Sequence, residues 1–159
     1  MIGSLPEAYE LPTAKNFYSV KTSDKKQSRS MQNDQISGGK RNDILNGLKG
    51  DDILIGRKGD DVLSGSKGDD YLDGSKGEDI LYGGKGADVF QISKGVDIVE
   101  DFSISQGDRV ALTRNGVYSI VDDPDGVLIV ASFKKQLFLD GMDYDDVIAS
   151  SVDLFVQPV

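Results

Sequence analysis

The chain has 159 residues, no cysteine and no histidine, and its 27 acidic and 18 basic side chains give a formal net charge of -9. This composition excludes disulfides, the usual zinc centres and the histidine general base on which most hydrolases depend. The negative charge argues against nucleic acid as a partner and favours a cationic one, because phosphate binding needs a basic face.

Residues 1–35 are predicted to form a flexible leader. They contain the polar tract KTSDKKQSRSMQNDQ, which carries too little apolar surface to order itself, and a few aromatic residues, Tyr9, Phe17 and Tyr18, that could dock on a folded body. The N-terminus lacks the basic start and apolar core of a cleavable signal peptide, and no apolar run is long enough to span a membrane. By this test alone the chain stays in the cytoplasm, although another export route remains open.

From Gly38 the sequence divides into six units of nine residues, a period typical of solenoids. Position 1 is always glycine, position 3 lysine and position 6 aspartate; position 4 is glycine except at Arg41. We expect the glycines at positions 1 and 4 to allow positive φ in a tight turn, and the last three residues to form a short strand with position 8 facing inward. Weaker units flank the array, one with Asp34 and Ile36 and one with Asp97.

Two units, 18 residues, are expected to form one coil, which stacks the position-6 aspartates in two columns. One column contains Asp43, Asp61, Asp79 and Asp97, and the other contains Asp34, Asp52, Asp70 and Asp88. Stacked strands lie about 4.8 Å apart, so these carboxylates repel one another or take up protons unless a cation separates them. Calcium suits such a set better than magnesium, because it accepts six to eight oxygen ligands in loose geometry. The array is therefore predicted to be disordered without calcium and to fold as it binds.

Residues 101–159 are predicted to form a mainly antiparallel β cap on the end of the array. Short apolar runs, GDRVAL, VYSIV, GVLIVASF and KQLFLDG, alternate there with the turn signals RNG and DDPDG. The segment DYDDVIAS predicts a turn of helix with Asp143 as its cap.

Residues 38–91 closely, and 29–100 loosely, resemble the nonapeptide repeat G-G-x-G-x-D-x-U-x of the RTX (repeats-in-toxin) family. The resemblance implies an all-β fold, a right-handed parallel β-roll over residues 36–100 loaded with calcium. Each ion would lie between one unit and the next but one, held by both position-6 aspartates and by main-chain carbonyls of positions 1 to 4. The chain departs from the family pattern at position 2, which is glycine only at Gly39 and Gly84, and most strongly at Arg41.

The implied sites form between successive aspartates of each column. Four are expected between Asp43 and Asp61, Asp61 and Asp79, Asp52 and Asp70, and Asp70 and Asp88; the pairs Asp79 with Asp97 and Asp34 with Asp52 would raise the number of calcium ions to between four and six. The implied carbonyl ligands belong to Gly47, Gly56, Gly65 and Gly74 at position 1, Lys49, Lys58, Lys67 and Lys76 at position 3, and Gly50, Gly59, Gly68 and Gly77 at position 4. The position-5 acids are interpreted as solvated or outer-shell groups.

The resemblance also implies a calcium-binding module of a Gram-negative bacterium, monomeric, exported unfolded by type I secretion machinery and folded outside the cell. The ending SSVDLFVQPV is compatible with the C-terminal export signal of such proteins. An enzyme is not expected, since the clustered acids are better used as ligands and no histidine is present.

The alternative function is an extracellular adhesive or polysaccharide-binding structural protein. Its candidate surface is the lysine at position 3 of each unit, continued by Lys94. Two interpretations of these lysines stay open: they offset the acidic turns, or they bind an anionic polysaccharide or a cell surface.

Overall fold

A computed structural model describes residues 8–9, 16–19, 26–28, 31–112, 118–132, 135–150 and 155–158. The strands up to the middle of the array are β1 (Ala8–Tyr9), β2 (Asn16–Ser19), β3 (Lys26–Ser28), β4 (Asp34–Ser37), β5 (Ile44–Asn46), β6 (Ile53–Ile55), β7 (Val62–Lys67) and β8 (Tyr71–Asp73). The remaining elements are β9 (Ile80–Lys85), β10 (Val89–Gln91), β11 (Gly95–Val99), a 3-10 turn (Ile104–Gln106), β12 (Arg109–Ala111), β13 (Ser119–Asp123), β14 (Gly126–Ser132), β15 (Lys135–Asp140), α1 (Tyr144–Ala149) and β16 (Phe155–Pro158).

The strands form two sheets, between which the chain alternates every nine residues. The first sheet has the order β1-β16-β12-β10-β8-β6-β4-β2 and the second the order β13-β14-β15-β11-β9-β7-β5-β3. Pairing within the array is parallel and joins residues 18 apart, as Leu54 with Leu72 and Leu45 with Leu63. The all-β parallel roll and its two-unit coil are thus confirmed.

The core lies between the two sheets and is built from position 8. Its leucines and one phenylalanine are fully buried because alternate side chains of a strand point to opposite faces, and the intervening glycine turns bring each short strand back over the last. The members of this row are Ile36, Leu45, Leu54, Leu63, Leu72, Leu81, Phe90 and Val99. Burying an aliphatic side chain contributes about 1.5–3 kcal/mol. In the first sheet, position 7 is buried as well, at Ile53, Tyr71 and Val89, which form a second, smaller cluster with Ala111.

The cap is antiparallel in one sheet and parallel in the other. In the second sheet, β13, β14 and β15 form an antiparallel meander, and β15 pairs in parallel with β11. In the first sheet, parallel pairing continues from β10 through β12 to β16. The hairpin predicted at DDPDG is confirmed between β13 and β14, whereas the RNG turn falls outside the described residues.

The predicted helical turn is confirmed as α1, with Asp143 as its N-cap. The Asp143 side chain accepts hydrogen bonds from the main-chain N–H groups of Asp145 and Asp146, which satisfies donors that a helix start leaves free. None of the described helices has the length and apolar character needed to cross a membrane.

Two strands of the array's first edge come from the segment predicted as a leader. β2 pairs in parallel with β4, placing Tyr18 opposite Ile36, and β3 pairs in parallel with β5. Both pairings repeat the 18-residue register of the array. The domain boundary between residues 35 and 36 stays a prediction.

Candidate metal sites

The position-6 aspartates are all buried, in the two predicted columns. Each exposes 2% or less of its surface, although carboxylates rarely leave water without a partner. Position 6 lies two residues before the inward-facing position 8, and alternate residues of an extended segment share a face. The aspartates concerned are Asp34, Asp43, Asp52, Asp61, Asp70, Asp79, Asp88 and Asp97.

In six of these aspartates, one carboxylate oxygen forms a hydrogen bond along the column: Asp52, Asp61, Asp70, Asp79, Asp88 and Asp97. Asp70 Oδ1 accepts from the main-chain N–H of Asp52 at 2.7 Å, and Asp88 Oδ1 accepts from the N–H of Asp70 at 2.9 Å. The second column repeats the bond, as from the N–H of Asp61 to Asp79 Oδ1 at 2.7 Å. Each of these six carboxylates is therefore tied to the coil 18 residues earlier.

The other oxygen, Oδ2, is buried without a hydrogen-bond partner in five described aspartates. These are Asp52, Asp61, Asp70, Asp79 and Asp88. An unpaired buried carboxylate oxygen costs several kcal/mol, on the order of a lost charged hydrogen bond or more. Five such atoms at one repeat position fit the binding of a cation.

Burial raises the pKa of these carboxyl groups. Desolvation, partly offset by the hydrogen bond from the coil before and reinforced by neighbouring carboxylates, raises the pKa of Asp70 from 3.8 to about 8 and that of Asp52 and Asp61 to about 7. The same causes raise the pKa of Asp88 to about 7, and burial also raises the pKa of Asp97. Without a cation, these raised pKa values bring protonation of the folded array's carboxyl groups toward the neutral pH range.

The unpaired oxygens point at the position-1 glycines, where a Cβ atom would fill the space. At Gly56 an added Cβ would overlap Asp61 Oδ2. The carbonyl oxygen of Gly74 lies 2.8 Å from the position of that added Cβ. Gly47, Gly65, Gly74 and Gly83 stand in the same relation to the aspartate five residues later. Carboxylate and carbonyl oxygens converging on a small space are the donors that calcium prefers, so the residues present fit this ion.

The predicted reason for the position-1 glycine is therefore wrong. Position 4 does take positive φ, from 112° at Gly50 to 147° at Gly95, but position 1 is glycine because of the close approach of Oδ2. The second left-handed residue of the turn is position 2, where Leu48, Arg57, Ser66 and Ser75 have φ of 74° to 83°. These residues accept a conformation that costs about 1–2 kcal/mol for a residue with a Cβ.

Replacing two of them with glycine should stabilise the array. We expect Arg57→Gly/Ser75→Gly to raise the stability of the calcium-loaded protein by about 1–2 kcal/mol in total, after subtracting the greater flexibility of unfolded glycine. Guanidinium unfolding in saturating calcium measures the change. Arg57→Ala/Ser75→Ala removes the same side chains but keeps Cβ, and an equal gain in that variant would contradict the backbone explanation.

The predicted carbonyl ligands lie in the turns, and some already accept one hydrogen bond. The carbonyls of Lys67, Lys76 and Lys85 accept from the position-4 N–H groups of Gly50, Gly59 and Gly68. A carbonyl oxygen has two lone pairs, so this bond leaves one for a cation. Among the residues described, no group of three carboxylates converges, so a site here combines aspartates with main-chain carbonyls. The ligand set remains a prediction.

The repeat assignment is supported by comparison with known families. A model of the RTX calcium-binding nonapeptide repeat, four copies, matches residues 31–63 and 55–90. These residues are RTX repeats. No curated protein matches the chain in sequence.

Two solved structures share features with the chain. The extracellular lipase LipA of Serratia marcescens is 16% identical with a TM-score of 0.44, over 86% of this chain and 40% of the lipase. The AlgE6R3 subunit of the Azotobacter vinelandii mannuronan C5-epimerase is 25% identical with a TM-score of 0.36, over 91% of this chain and 84% of that subunit. The chain thus spans less than half of the lipase. Both TM-scores are low, so the fold assignment rests on the strand pairing of the chain itself.

At both ends of one aspartate column, a protein group donates a hydrogen bond to the Oδ2 atom. Asp43 Oδ2, in the unit with Arg41, accepts from the N–H of Gly39 at 2.7 Å, and the Ser93 hydroxyl donates to Asp97 Oδ2. Both ends of that column differ from its centre in this way. The site beside Arg41, where the chain departs most from the family pattern, is thus one of two in this column whose aspartate Oδ2 already has a protein partner.

Asp108 is a further column residue that sequence analysis missed. Its Oδ1 accepts from the N–H of Asp88, its Oδ2 accepts from the N–H of Ser103, and it is buried. The spacing from Asp88 is 20 residues, because the 3-10 turn lengthens this coil. The pattern of aspartate two residues before a buried apolar residue, here Val110, could have identified it.

A second missed feature is a ladder of hydrogen bonds at position 5. Asp51 Oδ1 accepts from the N–H of Asp69 at 3.0 Å, and Asp69 Oδ1 accepts from the N–H of Ala87 at 2.8 Å. The side-chain oxygens of Asn33 and Asn42 accept in the same way from the N–H groups of Asp51 and Asp60. Asparagine and aspartate can therefore both form this bond at position 5. This ladder runs in the opposite direction to that of position 6, since each side chain accepts from the coil 18 residues later.

Proposed function

We propose that the RTX array holds about five calcium ions and folds as it binds them. The observation that carries the proposal is the row of five buried, unpaired Oδ2 atoms at one repeat position. Each would hold one ion together with carbonyls of the turns, and Asp52, Asp61, Asp70, Asp79 and Asp88 are the residues assigned. When bound, calcium supplies the positive charge that keeps all five carboxylates ionised in a buried place.

The chain's own residues supply the coupling between binding and folding. Each assigned aspartate uses Oδ1 to tie two coils together and leaves Oδ2 for the ion. A bound ion therefore favours the stacked arrangement of coils over any open one. Within the roll, the apolar contribution between the sheets comes mainly from the row of position-8 side chains, and each bound ion adds to it.

We further propose that the protein is exported unfolded by a type I route and folds outside the cell. Support comes from the RTX repeats, from the absence of cysteine in the chain and from the millimolar range in which extracellular calcium modules work. The proposed export signal includes Phe155, which is buried in β16, whereas Asp153 and Leu154 lie outside the described residues. The proposal includes no catalytic step and treats the protein as a monomer.

Calcium titration tests the folding proposal. Far-UV circular dichroism should show strand signal appearing as calcium rises to about 1 mM, and calorimetry should give about five ions per chain. Magnesium at equal concentration is the control, since its smaller octahedral shell does not suit carbonyl-rich sites. A spectrum that is the same in EGTA and in calcium, or a stoichiometry of one or none, refutes the proposal.

Export is tested separately by co-expression with a type I transporter. The intact chain should accumulate in the culture medium, while a variant whose last ten residues are scrambled should stay in the cell. Secretion of both variants would refute the proposed signal without affecting the calcium sites.

A further inference from the structure

The position-3 lysines form two exposed columns along the edges of the roll. All seven are exposed in the structure: Lys40, Lys49, Lys58, Lys67, Lys76, Lys85 and Lys94. Main-chain pairing stacks Lys67 on Lys85 and Lys76 on Lys94. Neighbouring lysines of a column therefore start from backbones about 4.8 Å apart, close enough to form a continuous line of positive charge.

The lysines point away from direct ion pairs with the acidic turns beside them. If they served to offset those turns, lysine–carboxylate ion pairs would be expected, yet within residues 31–112 none of the seven makes one. The nearest acids in sequence are those of position 5, and their Oδ1 atoms accept main-chain N–H groups instead, as at Asp51, Asp60 and Asp69. The ammonium groups are thus left facing solvent.

Calcium would reverse the net charge of this part of the chain. Residues 38–100 contain nine basic and thirteen acidic side chains, a net charge of -4. About five divalent ions would bring it to about +6. The cap, residues 101–159, has four basic and ten acidic side chains and stays negative. Positive charge would then be confined to the roll and concentrated along its lysine columns.

We propose that the lysine columns of the calcium-loaded roll bind a linear anionic polysaccharide carrying carboxylate or sulfate groups. This inference rests on the calcium loading proposed above. Each lysine column presents one ammonium group about every 4.8 Å. This arrangement matches a single extended polymer with negative charges spaced along it. Duplex DNA is a poorer match, because it carries one charge per about 1.7 Å of axis and is wide enough to meet the acidic cap.

Heparin is a suitable probe, with uncharged dextran as the negative control. Binding to immobilised heparin should be present in 1 mM calcium, absent in EGTA, and weaker as salt rises. The variant Lys49→Gln/Lys67→Gln/Lys85→Gln empties one column and should weaken binding at least about fivefold, since exposed charge contacts are individually modest. Lys15→Gln/Arg109→Gln/Arg114→Gln makes the same charge change outside the lysine columns and should bind heparin like the parent protein.

The outcomes separate this inference from the calcium proposal. A protein that takes up calcium and folds but does not retain heparin overturns the inference alone, whereas failure to take up calcium overturns the proposed function first. Equal heparin binding by both triple variants would overturn the role of the lysines. Stronger competition by duplex DNA than by soluble heparin would replace the polysaccharide with a nucleic acid.

Discussion

Asp70→Asn should raise the calcium concentration needed for folding at least about tenfold, because ligand charge sets the affinity of calcium sites. Asp70 is central to its column: Oδ1 accepts the N–H of Asp52, and Oδ2 is buried without a partner. An asparagine oxygen can keep the first bond, but the amide nitrogen would place two donors in a space lined by oxygens. A calcium titration followed by circular dichroism gives the midpoint, and calorimetry should show the loss of one or two ions.

The control is the neighbouring residue. Asp69→Asn removes the same charge one position earlier, where the side chain is exposed and accepts the N–H of Ala87. Asn33 and Asn42 already fill this role at position 5, so the substitution should leave the calcium midpoint within about twofold of the parent value. If Asp69→Asn weakened calcium binding as much as Asp70→Asn, the assignment of position 6 as the ligand would be wrong.

The coil and its core could be predicted because they depend on local, repeated features. A nine-residue period with a fixed apolar residue at position 8 predicts a row of inward side chains, and Leu54 and Leu72 do lie opposite each other. The two columns of aspartates follow from the same 18-residue register. Burial of those aspartates follows as well, since position 6 lies two residues before the inward-facing position 8.

The hydrogen-bond direction within each ladder could not be predicted. Positions 5 and 6 are both acidic in KGDD, yet the side chain of Asp69 accepts from the next coil and that of Asp70 from the coil before. Only the backbone conformation of the turn decides which N–H group each carboxylate meets. The position-1 glycine shows the same limit, because its contact with the aspartate five residues later depends on a turn geometry that a sequence pattern does not contain.

The ends of the array were hardest to predict because the repeat fails there. Asp108 lies 20 residues after Asp88 and is joined to it through an inserted 3-10 turn. Ser93 occupies position 2 of a unit without its first glycine, and its hydroxyl bonds to Asp97. These residues replace an ion with a protein donor, which a search for exact copies overlooks.

Acid should partly substitute for calcium in folding the array. In the folded metal-free chain, burial raises the pKa of Asp52, Asp61 and Asp88 from 3.8 to about 7 and that of Asp70 to about 8. Between these values the folded chain holds more protons than the unfolded one, so its stability falls as pH rises from about 4 to about 8. Circular dichroism in EGTA should show more strand at about pH 5.5 than at about pH 8. Calcium binding should be weaker at about pH 5.5 than at about pH 8, because protons compete with calcium for the same carboxylate oxygens.

The two opposite effects of acid distinguish buried carboxylates from general surface charge. Asp51→Asn/Asp60→Asn/Asp69→Asn removes three position-5 acids of the same turns, of which Asp60 and Asp69 are exposed and Asp51 is half-buried, and this variant should keep the full pH dependence in EGTA. Because the sequence pI is about 4.4, sedimentation at each pH must show that new strand belongs to monomers and not to aggregates. Strand content in EGTA that is flat or rises from pH 5.5 to pH 8 would mean that the unpaired oxygens do not keep the metal-free chain unfolded. Calcium would then add ions to a preformed roll, and the coupling between binding and folding would be lost.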